Sequence, residues 1–143
     1  MTEVVVDTSV FMALMLHEPD AEAYMAALAE VQPLMGLPTR VEYIHVVLRR
    51  LGTDAVAEAE GLLEDFSVRF APFDERQAQA ALSAVTAYGR GRGREPAVLN
   101  FGDLFAYALA KTSGLPLMYK GDDFGRTDVR RHSVLPPPLT SVI

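Results

Sequence analysis

Five acidic residues in this chain stand just beyond short apolar runs. Asp7 follows "VVV", Glu42 lies one turn beyond "PLMGLP", Asp103 opens "DLFAYALAK", and Asp122 and Asp123 follow "LPLMY". Carboxylate oxygens are hard donors. With cysteine absent, and with His17, His45 and His132 each isolated, they suit Mg2+ or Mn2+ better than zinc. Carboxylates that converge repel one another and hold their protons unless a cation sits among them. Each also has a plainer reading. Asp7 can cap a helix that begins near Ser9. Thr39-Arg40-Val41-Glu42 matches a capping box in which Glu42 reaches back to the backbone of Thr39. Asp103 favours the positive end of its own helix dipole, and "KGDDFG" has the composition of a turn. Taken together, the caps would all fall on one edge of the fold.

That edge follows from the elements. Val4–Val6 reads as a short buried strand, and Ser9–Leu16 has helical apolar spacing. "EPDAEAYMAALAEV" reads as a helix with Pro19 near its start, and "PLMGLP" as a second strand. Thr39–Leu51 is helical and stopped by Gly52; "DAVAEAEGLLEDF" is another helix, and "SVRFAPF" alternates as a strand. Asp74–Tyr88 and Gly102–Ser113 are helical, "LPLMY" is a strand, and "SVLPPP" fits a last short strand closed by prolines. Strands alternating with helices predict an α/β fold, three layers deep (α/β/α), with a mainly parallel central sheet. In such sheets ligands bind beyond the carboxyl ends of the strands, where these acidic residues fall.

Composition sets outer bounds. The 143 residues, half of them hydrophobic, are expected to form a single domain spanning 1–143. No segment is long enough to cross a bilayer, and Glu3 and Asp7 interrupt any signal-peptide pattern, so a cytoplasmic protein is expected. A net charge of −6 argues against a general nucleic-acid coat. Cations nevertheless cluster twice. "GRGRGR" carries Arg90, Arg92 and Arg94; "KGDDFGRTDVRR" carries Lys120, Arg126, Arg130 and Arg131. Arginine forks suit phosphate, whereas a solvated glycine loop is the plainer reading of the first cluster.

"VVVDTSVFMAL", "LPTRVEYIHVVLRR", "LNFGDLFAYALAK" and "LPLMYKGDDFGRTDV" resemble, in order, the motifs of PIN-domain ribonucleases, and most closely the VapC toxins of bacterial toxin–antitoxin pairs. The resemblance covers essentially the whole chain. It implies a PIN-like fold and assigns Asp7, Glu42, Asp103 and Asp123 as catalytic metal ligands, with Asp122 the alternative in the last position. Ser9 matches the hydroxyl residue supporting the first aspartate, and Asn100 a recurrent polar residue ahead of the third. Tyr119 stands where phenylalanine is common. The activity implied is metal-dependent endoribonuclease cleavage, in which Mg2+ or Mn2+ polarises the scissile phosphate and activates water. RNA is the implied substrate, with Arg90, Arg92, Arg94, Lys120 and Arg126 as candidate contacts. A homodimer, a VapB-like antitoxin and no membrane association are also implied.

Two other readings belong to different classes. Haloacid-dehalogenase-like phosphatases share a strand ending in aspartate and a "GDD"-like turn, but place a second aspartate where this chain has Ser9. A non-catalytic PIN-like binding domain would keep the fold alone.

Overall fold

The computed structural model describes residues 1–89 and 98–134. Arg90, Arg92 and Arg94, and the greater part of the "SVLPPP" segment, lie outside the described residues. The elements run β1 (Glu3–Val6), α1 (Thr8–Met15), α2 (Ala21–Ala29), β2 (Gln32–Gly36), α3 (Leu37–Leu51), α4 (Val56–Asp65), β3 (Arg69–Ala71), α5 (Glu75–Tyr88), α6 (Asp103–Ser113) and β4 (Leu117–Met118). The four strands form a parallel sheet in the order β3-β2-β1-β4.

The central strand explains the layers. Successive side chains of a strand point to opposite faces. Val4 and Val6 accordingly join Phe11, Leu28, Met35, Tyr43 and Leu63 in one core, beneath α1, α2, α3 and α4. Val5 joins Ala84, Leu109, Ala110 and Leu117 in the other, beneath α5 and α6. The fold is therefore the expected α/β/α sandwich on a parallel sheet. Among the described residues no helix is long and apolar enough to cross a membrane.

Element boundaries differ from the sequence pattern for identifiable reasons. Helix α3 begins at Leu37, ahead of Thr39, with Gly36 as its N-cap and proline in its first turn. Proline has no N–H to leave unpaired there and its φ is already helical. Thr39 is thus inside the helix and buried, and the capping box does not form. Helix α2 starts at Ala21, and the Asp20 side chain does not cap it. That carboxylate instead accepts from Lys120 Nζ at 2.9 Å. Strand β3 spans three residues because Ser67, at φ 53, still belongs to the turn that ends α4. Helix α6 ends as the sequence suggests, at Gly114 in the left-handed region (φ 70).

Candidate metal centre

The carboxyl ends of β1 and β4 and the N-terminal turns of α3 and α6 enclose a pocket of about 280 Å³. Of the residues singled out in the sequence, Asp7, Ser9, Glu42, Asn100, Asp103 and Lys120 line it. Each reaches it for a local reason. Asp7 ends β1 and caps α1: one carboxylate oxygen accepts from Ser9 N–H at 3.0 Å. The other, Oδ1, is buried and has no hydrogen-bond partner among the described residues. A cap needs one oxygen only, so the second is not explained by capping.

Glu42, one turn into α3, does not fold back on its own helix. Its Oε1 accepts from the Thr8 hydroxyl at 2.5 Å, joining α3 to α1 across the pocket. Its Oε2 lies against Gly102, where a Cβ would overlap it. Asp103 and Asn100 form a reciprocal pair. Asp103 N–H donates to Asn100 Oδ1 at 2.9 Å, and Asn100 N–H donates to Asp103 Oδ2 at 3.0 Å. The dipole and the turn thus hold Asp103 at the head of α6.

The fourth acidic position is less deeply set. Asp123 is exposed at the start of a 3₁₀ turn, Phe124–Arg126, outside the pocket wall. Its charge nevertheless acts on both Asp7 and Asp103. Asp122 contributes its carbonyl, which accepts from Gly125 N–H at 3.2 Å. Ser9 also works away from Asp7. Its hydroxyl accepts from Lys120 N–H at 2.9 Å, tying the exit of β4 to α1. Lys120 itself is held by Glu18 and by Asp20. Arg126 is exposed and does not line the pocket.

Electrostatics favour a cation here. Burial raises the pKa of Asp7, against the lowering effect of its hydrogen bonds to Ser9 and with a smaller push from Asp123. Glu42 is raised by burial first and by Asp7 as well, while Thr8 lowers it. Asp103 is pushed to about 7, by burial and then by the charge of Asp7. Among the described residues, no three His, Asp or Glu side chains are already arranged to hold an ion. The pocket therefore offers hard oxygen donors, one of them an orphaned buried oxygen, without a closed ligand cage. Such a donor set fits a divalent cation. Thr8, Gly102, Glu18 and Arg50 belong to this neighbourhood although motif reading passed over them. Gly102 and Arg50 left a trace: the first directly precedes Asp103, and the second is eight residues, about two helical turns, beyond Glu42.

Similarity to known proteins agrees with this geometry. The PIN domain family model matches residues 4–130. The chain is 41% identical over 126 residues to VapC ribonuclease Mb0640 of Mycobacterium bovis and to Ribonuclease VapC30 of Mycobacterium tuberculosis, covering 87% of this chain and 95% of each relative. Ribonuclease VapC of Mycolicibacterium smegmatis is 42% identical over 127 residues, 87% of this chain and 96% of its own. Among solved structures, Mycobacterium tuberculosis VapC20, described as a sarcin-ricin loop cleaving toxin, superposes with a TM-score of 0.71 at 18% identity, over 94% of this chain and 99% of that one. FitAcB from Neisseria gonorrhoeae gives 0.65 at 21% identity, over 91% and 96%. At those identities the two structures bear on the fold alone. The dehalogenase-like alternative falls with the family match, and Ser9, where it needs an acid, is engaged with Lys120. The chain belongs to the PIN-domain family, in its VapC branch.

Proposed function

We propose that this protein is a metal-dependent endoribonuclease, the toxin of a VapBC-type pair. The observation that carries the reading is the meeting of Asp7, Glu42 and Asp103 in one pocket, from three separate elements, with one buried Asp7 oxygen unpartnered. Asp7, Glu42 and Asp103 would hold the ion, with Asp123 completing the set from the β4 loop. A bound Mg2+ or Mn2+ would supply Lewis-acid polarisation of the phosphodiester and lower the pKa of the attacking water.

The chain's own residues do the rest. Thr8 and Gly102 set the rotamer of Glu42, Asn100 fixes the carboxylate plane of Asp103, and Ser9 orients Asp7 through its N–H. With their pKa values raised, these carboxylates hold protons more readily in the metal-free pocket and release them as a cation enters.

The reading includes a cytoplasmic homodimer of a single PIN-like unit, with a VapB-like antitoxin as partner. An apolar stripe on α3, formed by Leu37, Val41, Leu48 and Leu51 and exposed by 42%, 70%, 45% and 39%, supports association with another protein surface. Cleavage of RNA with Mg2+ or Mn2+, with chelator, and with the Asp7→Asn variant tests the assignment. Cleavage with metal, and none in the other two conditions, is expected. RNA left intact by the metal-loaded wild type would favour a non-catalytic binding domain.

A further inference from the structure

We propose that Arg50 is a phosphate-binding residue of this pocket, gripping a backbone phosphate that flanks the scissile one. The inference rests on the ribonuclease reading and adds a substrate contact to it. Three observations carry it. Among the described residues, two cations line the pocket, Lys120 and Arg50. Lys120 is committed, since its ammonium is shared between Glu18 and Asp20 on the α1–α2 loop. Arg50 is exposed and has no ion pair or hydrogen bond among the described residues.

Its position on α3 is the third. Glu42, Val46 and Arg50 all line the pocket, at i, i+4 and i+8 along one face of the helix. Arg50 therefore lies two turns, about 12 Å along the axis, from the Glu42 carboxylate position. A phosphate held by the acidic centre and a second one held by Arg50 would belong to the same strand. The planar guanidinium offers two parallel N–H donors to phosphate oxygens, which lysine cannot match. In a protein of net charge −6, an unspent cation on the wall of an acidic pocket also offsets repulsion of an incoming polyanion.

The test uses a fluorescent twelve-nucleotide oligouridylate and the full-length protein in Ca2+, with affinity measured by anisotropy across a salt series. Arg50→Gln should weaken binding several-fold at low salt and lower the slope of log affinity against log salt by about 0.7, the value of one single-strand phosphate contact. Arg50→Lys should keep the slope and lose part of the affinity. Arg69→Gln removes a cation at the opposite end of its strand, one that is paired with Glu3 at 3.7 Å, and should change nothing. Calorimetric Mn2+ binding should be the same in all variants. If Arg50 serves only as a cation at the end of α3, Arg50→Gln will melt slightly earlier with the wild-type salt slope, and the proposal is overturned. A wild type that shows no salt-dependent RNA binding would sink the ribonuclease reading, and this contact with it.

Discussion

At the scale of single residues, the site separates groups that look alike in the sequence. Glu42 matched a capping box, in which glutamine would serve almost as well. Instead its carboxylate is clamped between the Thr8 hydroxyl and Gly102. Glu42→Gln should therefore abolish metal-dependent cleavage with a change of about 1 kcal/mol or less in thermal stability. Full activity in that variant would remove Glu42 from the centre. Gly102→Ala makes a sharper case. Gly102 has φ −62 and ψ −38, which any residue adopts, so alanine carries no backbone penalty. Its methyl group would occupy the place of Glu42 Oε2. The variant is expected to fold while losing most of its activity and Mn2+ affinity, because the carboxylate must leave its seat. Retained activity would mean that the carboxylate does not need this seat. The acidic residues could be named from the sequence because each follows a strand or opens a helix. Thr8 and Gly102 could not be given their roles, because their partner lies 34 and 60 residues away respectively.

At the scale of elements, two helices start on the same chemistry with different consequences. Asp74 caps α5 by accepting from Gln77 N–H at 2.8 Å, and Asp7 caps α1 by accepting from Ser9 N–H at 3.0 Å. Only Asp7 combines burial, an unpartnered oxygen and a raised pKa. Thermal melts in chelator should tell the two caps apart. Asp74→Ala is expected to lose about 1 kcal/mol, the usual worth of a cap. Asp7→Asn keeps an accepting oxygen and discards a buried charge, so it should be as stable as wild type or more so. A loss in Asp7→Asn equal to that in Asp74→Ala would make Asp7 a cap and nothing else. The element pattern itself was largely legible, since buried parallel strands leave short continuous apolar runs and amphipathic helices a period of 3.6. The differences arose where a stronger neighbouring signal or a tertiary contact overrode the apparent cap. Pro38 and Gly36 start α3 ahead of the apparent Thr39 cap, and Lys120 draws Asp20 away from the head of α2.

At the scale of the whole molecule, the pocket couples stability to pH and to cations. The folded pKa of Asp103, about 7, lies above its ordinary 3.8, so between those values the folded state binds more protons than the unfolded chain. The stability this group contributes is complete below about 4, falls as pH rises toward 7, and is level beyond. Chemical denaturation without metal should show wild type losing stability over that window relative to Asp103→Asn. A difference that stays flat from pH 4 to 7 would refute the shift. Divalent cation should restore what is lost, by about 2.7 kcal/mol at a hundredfold excess over its dissociation constant. The order of the sheet has a consequence of another kind. Strand β1 is central, yet one of its two neighbours is β4, more than a hundred residues later. Until α6 and β4 have left the ribosome, a growing chain carries Asp7 and Glu42 without Asp103 or Asp123. Domains of this kind form their most distant pairings last. A growing chain would therefore carry no complete acidic edge on the ribosome: its carboxylates converge only once α6 and β4 have emerged.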